Sequence, residues 1–347
     1  MAVGSRKLWA VLAAAVLFFP ACGAFGEGPQ EAESNDNEIQ VGLPTGKTSF
    51  ANSDIAVAQE KGFFKEAGLT VKTTNFRSGV SVVQGVAGGN LDVGASSFEP
   101  VANAHARGGD VKIIGSYTDL LAVAAVTPKD VTKPADLRGK NVGVQEVGAF
   151  REIMTRIVLE SGGLTQRDVN YVPVDSQSYI SSLLQGKIES AILQTEQALS
   201  AQTEDKNLHV LENLNKITPN YHYGTYFVSP SWLENNRKNA VKFLTAITKA
   251  HRFMYENKEE TVPIVAKSTG FDEKTISAAY DVMLEQQGVF PVNDGLDDKR
   301  MRQTIEKLRK MGVLTGPEIK VSELVDKGPI GDAVRDLGPW DGDKRWR

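Results

Sequence analysis

The side chains best suited to chemistry stand in loops that follow short apolar stretches of the chain. These loops carry three cations and three carboxylates, namely Lys47, Arg77, Arg151, Glu99, Glu146 and Glu196. Arginine presents a planar fork of N–H groups that matches two oxygens of a carboxylate or sulfonate. The same loops are rich in Ser, Thr and Gly, whose hydroxyls and backbone N–H groups also suit an anion. The residue types therefore predict a small organic anion as ligand, while the glutamates leave a cationic or neutral heterocycle as the second alternative.

Aromatic residues lie in or beside nearly every one of these loops. They are Phe50, Phe76, Phe98, Phe150 and Tyr179, and Tyr117, Tyr223 and Tyr226 accompany them near two connecting segments. Large planar side chains favour a ligand that is flat or apolar beyond its anionic group. The alternative is structural: the rings would belong to the core, and the charges would pair with one another.

Catalytic and metal-binding patterns are poor in this chain. The four histidines are scattered without metal-ligand spacing, and we interpret each as a surface or hinge residue; no phosphate-binding P-loop occurs. Cys22 is the only cysteine, which excludes an intrachain disulfide and, downstream of it, a thiol nucleophile. We predict no metal, no cofactor and no enzymatic activity. A net charge of −4 without any basic block argues against nucleic acid as a partner.

The elements that must position these loops alternate between strand and helix. In the first part of the chain the pattern predicts strands at 39–43, 70–74, 91–95 and 111–117 and helices at 53–61 and 80–87. In the second part it predicts strands at 141–144 and 169–174, another ending at 193, and helices at 151–160 and 179–184. This alternation is typical of an α/β fold with open parallel sheets, in which ligands bind outside the carboxyl ends of the strands.

One short pattern occurs twice, about a hundred residues apart. Residues 88–97 and 185–192 each contain a glycine that ends a helix, an acidic residue three positions later and a short strand. The repetition indicates two similar lobes, and we interpret the pattern itself as scaffold that aims the loops behind it. Connections near 118–126 and 222–228 would form a hinge with a cleft between the lobes.

We divide the chain accordingly. Lobe 1 comprises residues 39–120 and 225–347, and lobe 2 comprises residues 121–224. The region after residue 231 is mostly helical, and we expect it to pack on lobe 1.

The N-terminus is typical of export. Arg6 and Lys7 precede an uncharged run that ends at Cys22, which predicts a lipoprotein signal peptide at 1–22 rather than a membrane span. Residues 19–22 loosely resemble a bacterial lipobox, so we expect lipidation at Cys22; the alternative is a cysteine removed with the signal. Residues 23–38 carry five acidic and no basic residues, which predicts a disordered tether.

Three stretches, 58–69, 88–94 and 136–144, together resemble extracytoplasmic solute-binding proteins of ABC importers. The resemblance extends over roughly residues 39–260 and points to the group that serves nitrate, taurine, alkanesulfonates and thiamine-precursor pyrimidines. It implies a two-lobed, periplasmic-binding-protein-like fold of type II with two hinge crossings. It also implies an ABC permease and its ATPase as partners, and a monomer, which is the usual state of such binders. With the N-terminal pattern, we expect the protein to lie outside the cytoplasm, anchored to the bacterial cell membrane by lipid at Cys22.

The favoured function is capture of a sulfonate or an aromatic or aliphatic carboxylate between the lobes and its delivery to the permease. A pyrimidine, a thiamine precursor or another nitrogenous heterocycle is the alternative ligand. Two other classes stay open: an enzyme on the same fold, and a sensor that presents its closed form to a receptor. The expected ligand-binding residues are Thr48, Ser49, Phe50, Phe76, Arg77, Ser78, Gly79, Ser96, Ser97, Phe98, Glu99, Tyr117, Glu146, Gly148, Ala149, Phe150, Arg151, Ser176, Thr195, Glu196 and Tyr223.

Overall fold

The computed structural model describes residues 37–45, 49–340 and 342, which belong to one compact unit. The predicted signal peptide at 1–22, the lipidation site Cys22 and almost all of the tether at 23–38 lie outside the described residues, as do Lys47 and Thr48. Glu38, which we assigned to the tether, is instead the first residue of a strand. Among the described residues, no helix combines the length and apolar character needed to cross a membrane.

Ten strands are found along the described ranges. They are β1 (Glu38–Leu43), β2 (Thr70–Asn75), β3 (Val93–Ser97), β4 (Lys112–Gly115), β5 (Val123–Pro128), β6 (Asn141–Val144), β7 (Asn170–Pro173), β8 (Ser190–Gln194), β9 (Leu208–Asn213) and β10 (Gly224–Val228). The sequence pattern predicted β6 with the correct ends, whereas the expected strand at 111–117 is shorter at both ends.

Helices connect these strands and form the region that follows β10. They are α1 (Asp54–Glu60), α2 (Phe63–Glu66), α3 (Gly79–Ala87), α4 (Phe98–Ala106), α5 (Phe150–Ser161), α6 (Tyr179–Leu184), α7 (Thr195–Glu204), α8 (Leu214–Ile217), α9 (Pro230–Glu256), α10 (Lys258–Thr269), α11 (Glu273–Tyr280), α12 (Asp298–Lys310), α13 (Val321–Leu324) and α14 (Gly328–Leu337). Short 3-10 turns occur at Phe50–Asn52, Pro134–Leu137 and Gln166–Asp168, and Asp281–Gln287 is π-helical.

The strands form two five-stranded sheets built on one plan. The first has the order β2-β1-β3-β10-β4 and the second β7-β6-β8-β5-β9. In each sheet four strands are parallel and one, β10 or β5, runs antiparallel to both neighbours. This corrects the expectation of parallel sheets: β5 and β10 follow the two crossings between lobes, so each enters its sheet from the cleft side.

The two crossings run side by side. The Gly224 N–H donates to the Thr118 carbonyl at 2.7 Å, and the Ser116 hydroxyl donates to the Gly224 carbonyl at 2.7 Å. Arg300 of α12 donates to the Asp119 carboxylate at 2.5 Å, so the first crossing is also fixed to the C-terminal helices. The crossings therefore form one paired hinge rather than two independent linkers.

The C-terminal helices pack mainly on lobe 1, as expected. Helix α9 lies against α1, α2 and α14. Its Phe243 stacks on Phe64 with ring centroids 5.7 Å apart and meets the Tyr226 ring edge-on at 5.1 Å, in the buried core. Helix α11 also packs against α7 of lobe 2. Our expectation that the C-terminal helices pack on lobe 1 did not include this contact.

The twice-occurring glycine–acid pattern has the same geometry in both lobes. Gly89 and Gly186 have φ angles of +72° and +65°, the left-handed conformation that glycine adopts without steric penalty. Asp92 accepts a hydrogen bond from the N–H of Gln40 at 2.8 Å, and Glu189 accepts one from the N–H of Asn141 at 2.8 Å. Each acid thus joins two neighbouring strands at the ends opposite the cleft, which is a structural role.

Candidate ligand-binding cleft

Four helices of eight or more residues begin at one place between the sheets. Their N-cap residues are Ser78 for α3, Ser97 for α4, Ala149 for α5 and Gln194 for α7. The first N–H groups of a helix lack intrahelical partners and carry partial positive charge. The cleft is therefore electrostatically suited to an anion.

The N-caps open onto a first cavity of about 30 Å³, room for about two water molecules. It is lined by Pro44, Thr45, Ser78, Gly79, Ser97, Tyr117, Gln145, Ala149, Phe150, Arg151, Gln194 and Tyr223. A second cavity of about 60 Å³ shares Thr45 and Arg151 with the first. It is lined by Thr45, Ser49, Arg151, Ser176, Gln177, Ile180, Glu196, Gln197, Thr269 and Phe271. Arg151 thus stands where the two cavities meet.

Arg151 is held by lobe 2 and is 5% exposed. Its Nη1 donates to the Ile192 carbonyl, and its Nη2 donates to Gln197 Oε1 at 2.9 Å. The guanidinium lies 4.6 Å from the centroid of the Tyr179 ring. Among the described residues, no carboxylate is within ion-pair distance of this guanidinium. These two hydrogen bonds and the contact with the Tyr179 ring therefore fix the position and orientation of the guanidinium.

Glu196 is the carboxylate of the second cavity, and it is buried. Its Oε1 accepts a hydrogen bond from the Phe50 N–H of lobe 1 at 3.2 Å, while its Oε2 has no partner among the described residues. Burial raises the pKa of Glu196, and the backbone N–H groups of Glu196 itself and of Phe50, together with the charge of Arg151, oppose that rise only in part. One oxygen thus joins the lobes and the other remains available inside the protein.

Aromatic rings form one wall of the first cavity. Phe150 stacks on Tyr223 with centroids 4.5 Å apart, and Tyr223 meets Tyr117 edge-on at 5.8 Å. Gln194 Nε2 donates to the Tyr223 hydroxyl at 2.9 Å, whereas Gln194 Oε1 is buried without a partner in the described part of the chain. Burial raises the pKa of Tyr223 to about 12, so the phenol stays neutral at physiological pH.

Further contacts join the lobes at the rim of the cleft. Ser78 Oγ donates to Glu146 Oε2 at 2.9 Å, and the Gln145 side chain donates to the Arg77 carbonyl. Arg77 lies 3.5 Å from Asp175, but both side chains are more than 60% exposed, so this pair contributes little.

The structure brings eleven of the expected binding residues together around the two cavities. These are Ser49, Ser78, Gly79, Ser97, Tyr117, Ala149, Phe150, Arg151, Ser176, Glu196 and Tyr223. Only glycine fits at position 79 without a rearrangement, because a Cβ there would lie 2.1 Å from the Oγ of buried Ser96.

Six other expected residues, in addition to Thr48 outside the described ranges, lie beside the cavities without lining them. Ser96, Arg77 and Glu146 make the contacts given above, and Phe50 contributes its N–H to Glu196 while its ring packs near Phe290. The remaining two are structural: Thr195 donates to the Ala122 carbonyl at 2.8 Å, and Gly148, with φ of +83°, donates its N–H to Glu152 at 3.0 Å.

Three expected residues point into lobe 1 instead of the cleft. Phe76 packs over Gly42 and Gly85, while Phe98 and Glu99 are fully buried beneath the return crossing. The Tyr221 hydroxyl donates to Glu99, and the His222 ring meets Phe98 edge-on. The reason is long-range packing: residues 221 and 222 cover the start of α4, so its first side chains have no route to the cavities.

Several lining residues were absent from the sequence prediction: Pro44, Thr45, Gln145, Gln177, Ile180, Gln194, Gln197, Thr269 and Phe271. Thr45 and Gln194 belong to loops whose neighbours we selected, so their strand-end position was a usable signal. Thr269 is the last residue of α10, and Phe271 lies between α10 and α11. Both reach the cleft only because α11 packs against α7. No local pattern indicates that contact. Within the described ranges, no three His, Cys, Asp or Glu side chains are grouped so that they could hold a metal ion.

Known proteins share this fold. A Candida albicans protein reported to have the generic periplasmic binding protein fold superposes with a TM-score of 0.68 at 15% identity, covering 88% of this chain and 99% of its own. The alkanesulfonate-binding protein of Xanthomonas axonopodis pv. citri, bound to MOPS, gives a TM-score of 0.69 at 16% identity, covering 84% and 99%. At these identities the likeness establishes the fold alone: two lobes of the periplasmic-binding-protein type.

Sequence relatives include both binding proteins and enzymes. A Bacillus subtilis (strain 168) protein named for the binding of aliphatic sulfonates is 25% identical over 342 residues, which is 95% of this chain and 98% of the relative. A 4-amino-5-hydroxymethyl-2-methylpyrimidine phosphate synthase of Saccharomyces cerevisiae (strain ATCC 204508 / S288c) is 25% identical over 210 residues, 56% of this chain and 61% of the synthase. Residues 50–261, more than half of the chain, match the family described as NMT1/THI5 like. The chain belongs to the NMT1/THI5 like family.

Proposed function

We propose that this chain is the substrate-binding subunit of an ABC importer, and that it captures a small organic anion, a sulfonate or carboxylate, for delivery to a membrane permease. The observation that carries the ligand class is Arg151. It is a buried guanidinium without a carboxylate at ion-pair distance among the described residues, placed where four helices begin. A buried charge that has hydrogen-bond acceptors but no counter-ion at ion-pair distance is unfavourable, so an anionic ligand supplies the counter-ion. The residues that line the two cavities are the proposed contacts.

The fold supports the transport role. Cavities of about 30 and 60 Å³ hold only a few water molecules, so an organic anion enters only when the lobes separate. The paired hinge at Thr118 and Gly224 is the element about which two such lobes would open and close.

We also propose export, with a lipid anchor at Cys22, a monomeric state, and a permease with its ATPase as partners. The sequence pattern of residues 1–38 supports export and the anchor, and the resemblance to solute-binding proteins of ABC importers supports the monomeric state and the partners. Mass spectrometry of the mature N-terminus tests the anchor, and we expect a lipid-modified Cys22. An unmodified terminus downstream of Cys22 would contradict it.

A nitrogenous heterocycle is the second candidate ligand. The stacked rings of Phe150 and Tyr223 suit a flat molecule, and the unpartnered Oε2 of Glu196 suits a ring or exocyclic N–H. Enzymatic turnover on the same fold is the alternative from another class. Recovery of a bound heterocycle unchanged after long incubation would argue against turnover.

Calorimetry and thermal shift with sulfonates, carboxylates, nitrate and pyrimidines test the ligand class. We expect at least one organic anion to bind and to raise Tm, because ligand at a hundred times Kd stabilises the folded state by about 2.7 kcal/mol. Arg151→Gln should weaken that binding by about 10- to 100-fold, since a hydrogen bond to a charged group contributes about 1.5–3 kcal/mol.

The matched control is Arg167→Gln, an exposed arginine of the same lobe, which should bind the anion like the unmodified protein. A response to a pyrimidine or amine but to none of the anions would overturn the ligand class. If Arg151→Gln binds the anion as tightly as the unmodified protein does, Arg151 is not a ligand-binding residue.

A further inference from the structure

The loop between β6 and α5, residues 145–149, takes part both in the cleft and in the contact between the lobes. Gln145 and Ala149 line the first cavity, and the side chains of Gln145 and Glu146 form hydrogen bonds to lobe 1 across the cleft. At the tip of the loop, Val147 is 68% exposed. The tip therefore has little apolar packing, and the shape of the loop depends on its hydrogen bonds.

Glu152, the third residue of α5, supplies one of these hydrogen bonds. Its side chain is fully buried, and its Oε2 accepts the Gly148 N–H at 3.0 Å. This geometry resembles a capping box, in which a glutamate of the first helical turn reaches back to a backbone N–H at the start of the helix. Glu152 thus joins the loop to the turn of α5 that carries Phe150 and Arg151.

The second carboxylate oxygen of Glu152 has partners on two other segments. Oε1 accepts the hydroxyl of Tyr171 in β7 at 2.8 Å and the Nε–H of Arg156, one turn later in α5, at 2.5 Å. Burial and the nearby charge of Glu152 raise the pKa of Tyr171, so the phenol remains protonated and can donate. The carboxylate is therefore held from both sides and can fix the loop in one orientation.

Arg156 also decides what Glu152 contributes to the electrostatics of the cleft. Glu152 directly follows Arg151, and an unpaired carboxylate there would offset the positive charge that faces an anion. Arg156, at i+4 on the same helix, forms an ion pair with Glu152 and is itself only 20% exposed. The pair has no net charge, so the charge of Arg151 remains available to the ligand.

We infer that Glu152 is a positioning residue for the anion site, which fixes the β6–α5 loop and the first turn of α5 so that Ala149 and Arg151 face the ligand. The inference rests on the proposed function and extends the site to a residue that lines neither cavity. The competing explanation is that the buried pair of Glu152 and Arg156 serves stability alone. In that case its loss would lower Tm, yet the folded protein would bind the anion normally.

The first experiment changes the loop and leaves Glu152 in place. Gly148 and Gly163 lie beyond the two ends of α5, have φ angles of +83° and +68°, and offer open space to a Cβ. Alanine at either position is strained to a similar degree. By calorimetry with ethanesulfonate, benzenesulfonate, propionate and benzoate, Gly148→Ala should weaken anion binding by about five- to tenfold. Gly163→Ala, the matched control, should stay within about twofold of the unmodified protein.

The second experiment changes Glu152 itself. Glu152→Leu removes the acceptor of the Gly148 N–H, so binding of the same anions should weaken by about tenfold or more. Hydrogen exchange at the amides of residues 146–149 should become faster in this variant. Glu152→Gln keeps an amide oxygen that can accept the Gly148 N–H. We expect it to restore affinity to within about threefold, although the lost ion pair with Arg156 lowers Tm.

Normal affinity in both Gly148→Ala and Glu152→Leu, with a lowered Tm, would overturn the inference and leave the proposed function intact. Equal losses of affinity in Gly148→Ala and Gly163→Ala would overturn it as well. If none of the four anions binds to the unmodified protein, the proposed function fails and the inference falls with it. The glycine pair remains decisive even if Glu152→Leu does not fold.

Discussion

The two lobes place ionisable residues at equivalent positions and use them differently. Glu99 and Glu196 are each the second residue of the helix that follows the third parallel strand of their sheet. Glu99 is bound by Tyr221 inside lobe 1, whereas Glu196 lines the cleft. The same contrast holds at the starts of α1 and α5, the helices that follow β1 and β6: Asp54 is buried in lobe 1, whereas Arg151 lines both cavities.

The difference arises from what is packed on each lobe. Asp54 Oδ2 accepts hydrogen bonds from the Tyr226 hydroxyl at 2.8 Å and from His251 Nε2 at 3.0 Å, and His251 Nδ1 lies 2.8 Å from the Pro291 carbonyl. These partners, like Tyr221, belong to the segments that return from lobe 2. The returning chain therefore engages Asp54 and Glu99 in the core of lobe 1, whereas Arg151 and Glu196 of lobe 2 remain at the cavities.

The largest expected effect is on the Asp54 cluster. Asp54→Ala should lower the free energy of unfolding by about 3–5 kcal/mol, because it leaves buried His251 and Tyr226 without their common acceptor. Urea unfolding measures the loss. Asp54→Asn, which keeps an acceptor oxygen, should lose less. If Asp54→Ala lowers the free energy of unfolding by less than about 1 kcal/mol, the proposed contrast between a structural role in lobe 1 and a ligand-binding role in lobe 2 is wrong.

Two tyrosine variants with effects of intermediate size test the contrast between the lobes. Tyr221→Phe should destabilise the protein by about 1–3 kcal/mol, since buried Glu99 loses its hydroxyl partner, and should leave ligand affinity unchanged. Tyr223→Phe should instead weaken ligand binding, because it removes the hydroxyl that accepts from Gln194 Nε2 and holds that side chain at the first cavity. Unfolding and calorimetry on both variants check this, and an exchange of the two outcomes would contradict the comparison.

The smallest expected effect is on the pH dependence of stability. Full burial lowers the pKa of His222 to about 3, and neither ring nitrogen has a partner among the described residues. As pH falls, the histidine of the unfolded chain, with a pKa of about 6.5, takes up its proton before His222 of the folded protein does. Protonation therefore favours the unfolded state below about pH 6.5, and the stability lost in this way increases until about pH 3. His222→Leu should reduce the loss of stability between pH 6 and 5 by about 1 kcal/mol. Urea unfolding at both pH values measures it, and identical losses in the two proteins would contradict it.

Local sequence patterns were sufficient for much of the framework. Helix-ending glycines and short apolar runs predicted β6 and α6 with their observed ends, and the strand-end rule predicted that Ser78, Ser97 and Arg151 would converge. The ends of these elements depend on interactions within a few residues, and the convergence of the three side chains depends on the general topology of α/β sheets.

Contacts between distant segments could not be predicted in the same way. Glu99 and Glu196 are each the second residue of an equivalent helix, and the packing of residues 221–222 on Glu99 separates their positions. His251, interpreted as a surface or hinge residue, is buried against Asp54 because α9 lies on α1. Phe271 reaches the cleft only through the docking of α11 on α7. Each of these depends on segments far apart in the chain.

The antiparallel strand inside each sheet also sets the order in which the molecule can be completed. Strands β5 to β9 follow one another without interruption, so the second sheet can assemble from a single continuous stretch of chain. The first sheet cannot, because its fourth position belongs to β10, which is synthesised after the whole of lobe 2. Until β10 arrives, β3 and β4 have unpaired edges of the kind that recruit foreign strands. The period from the synthesis of β4 to the insertion of β10, which includes the synthesis of all of lobe 2, is therefore a stage at which this protein is exposed to aggregation.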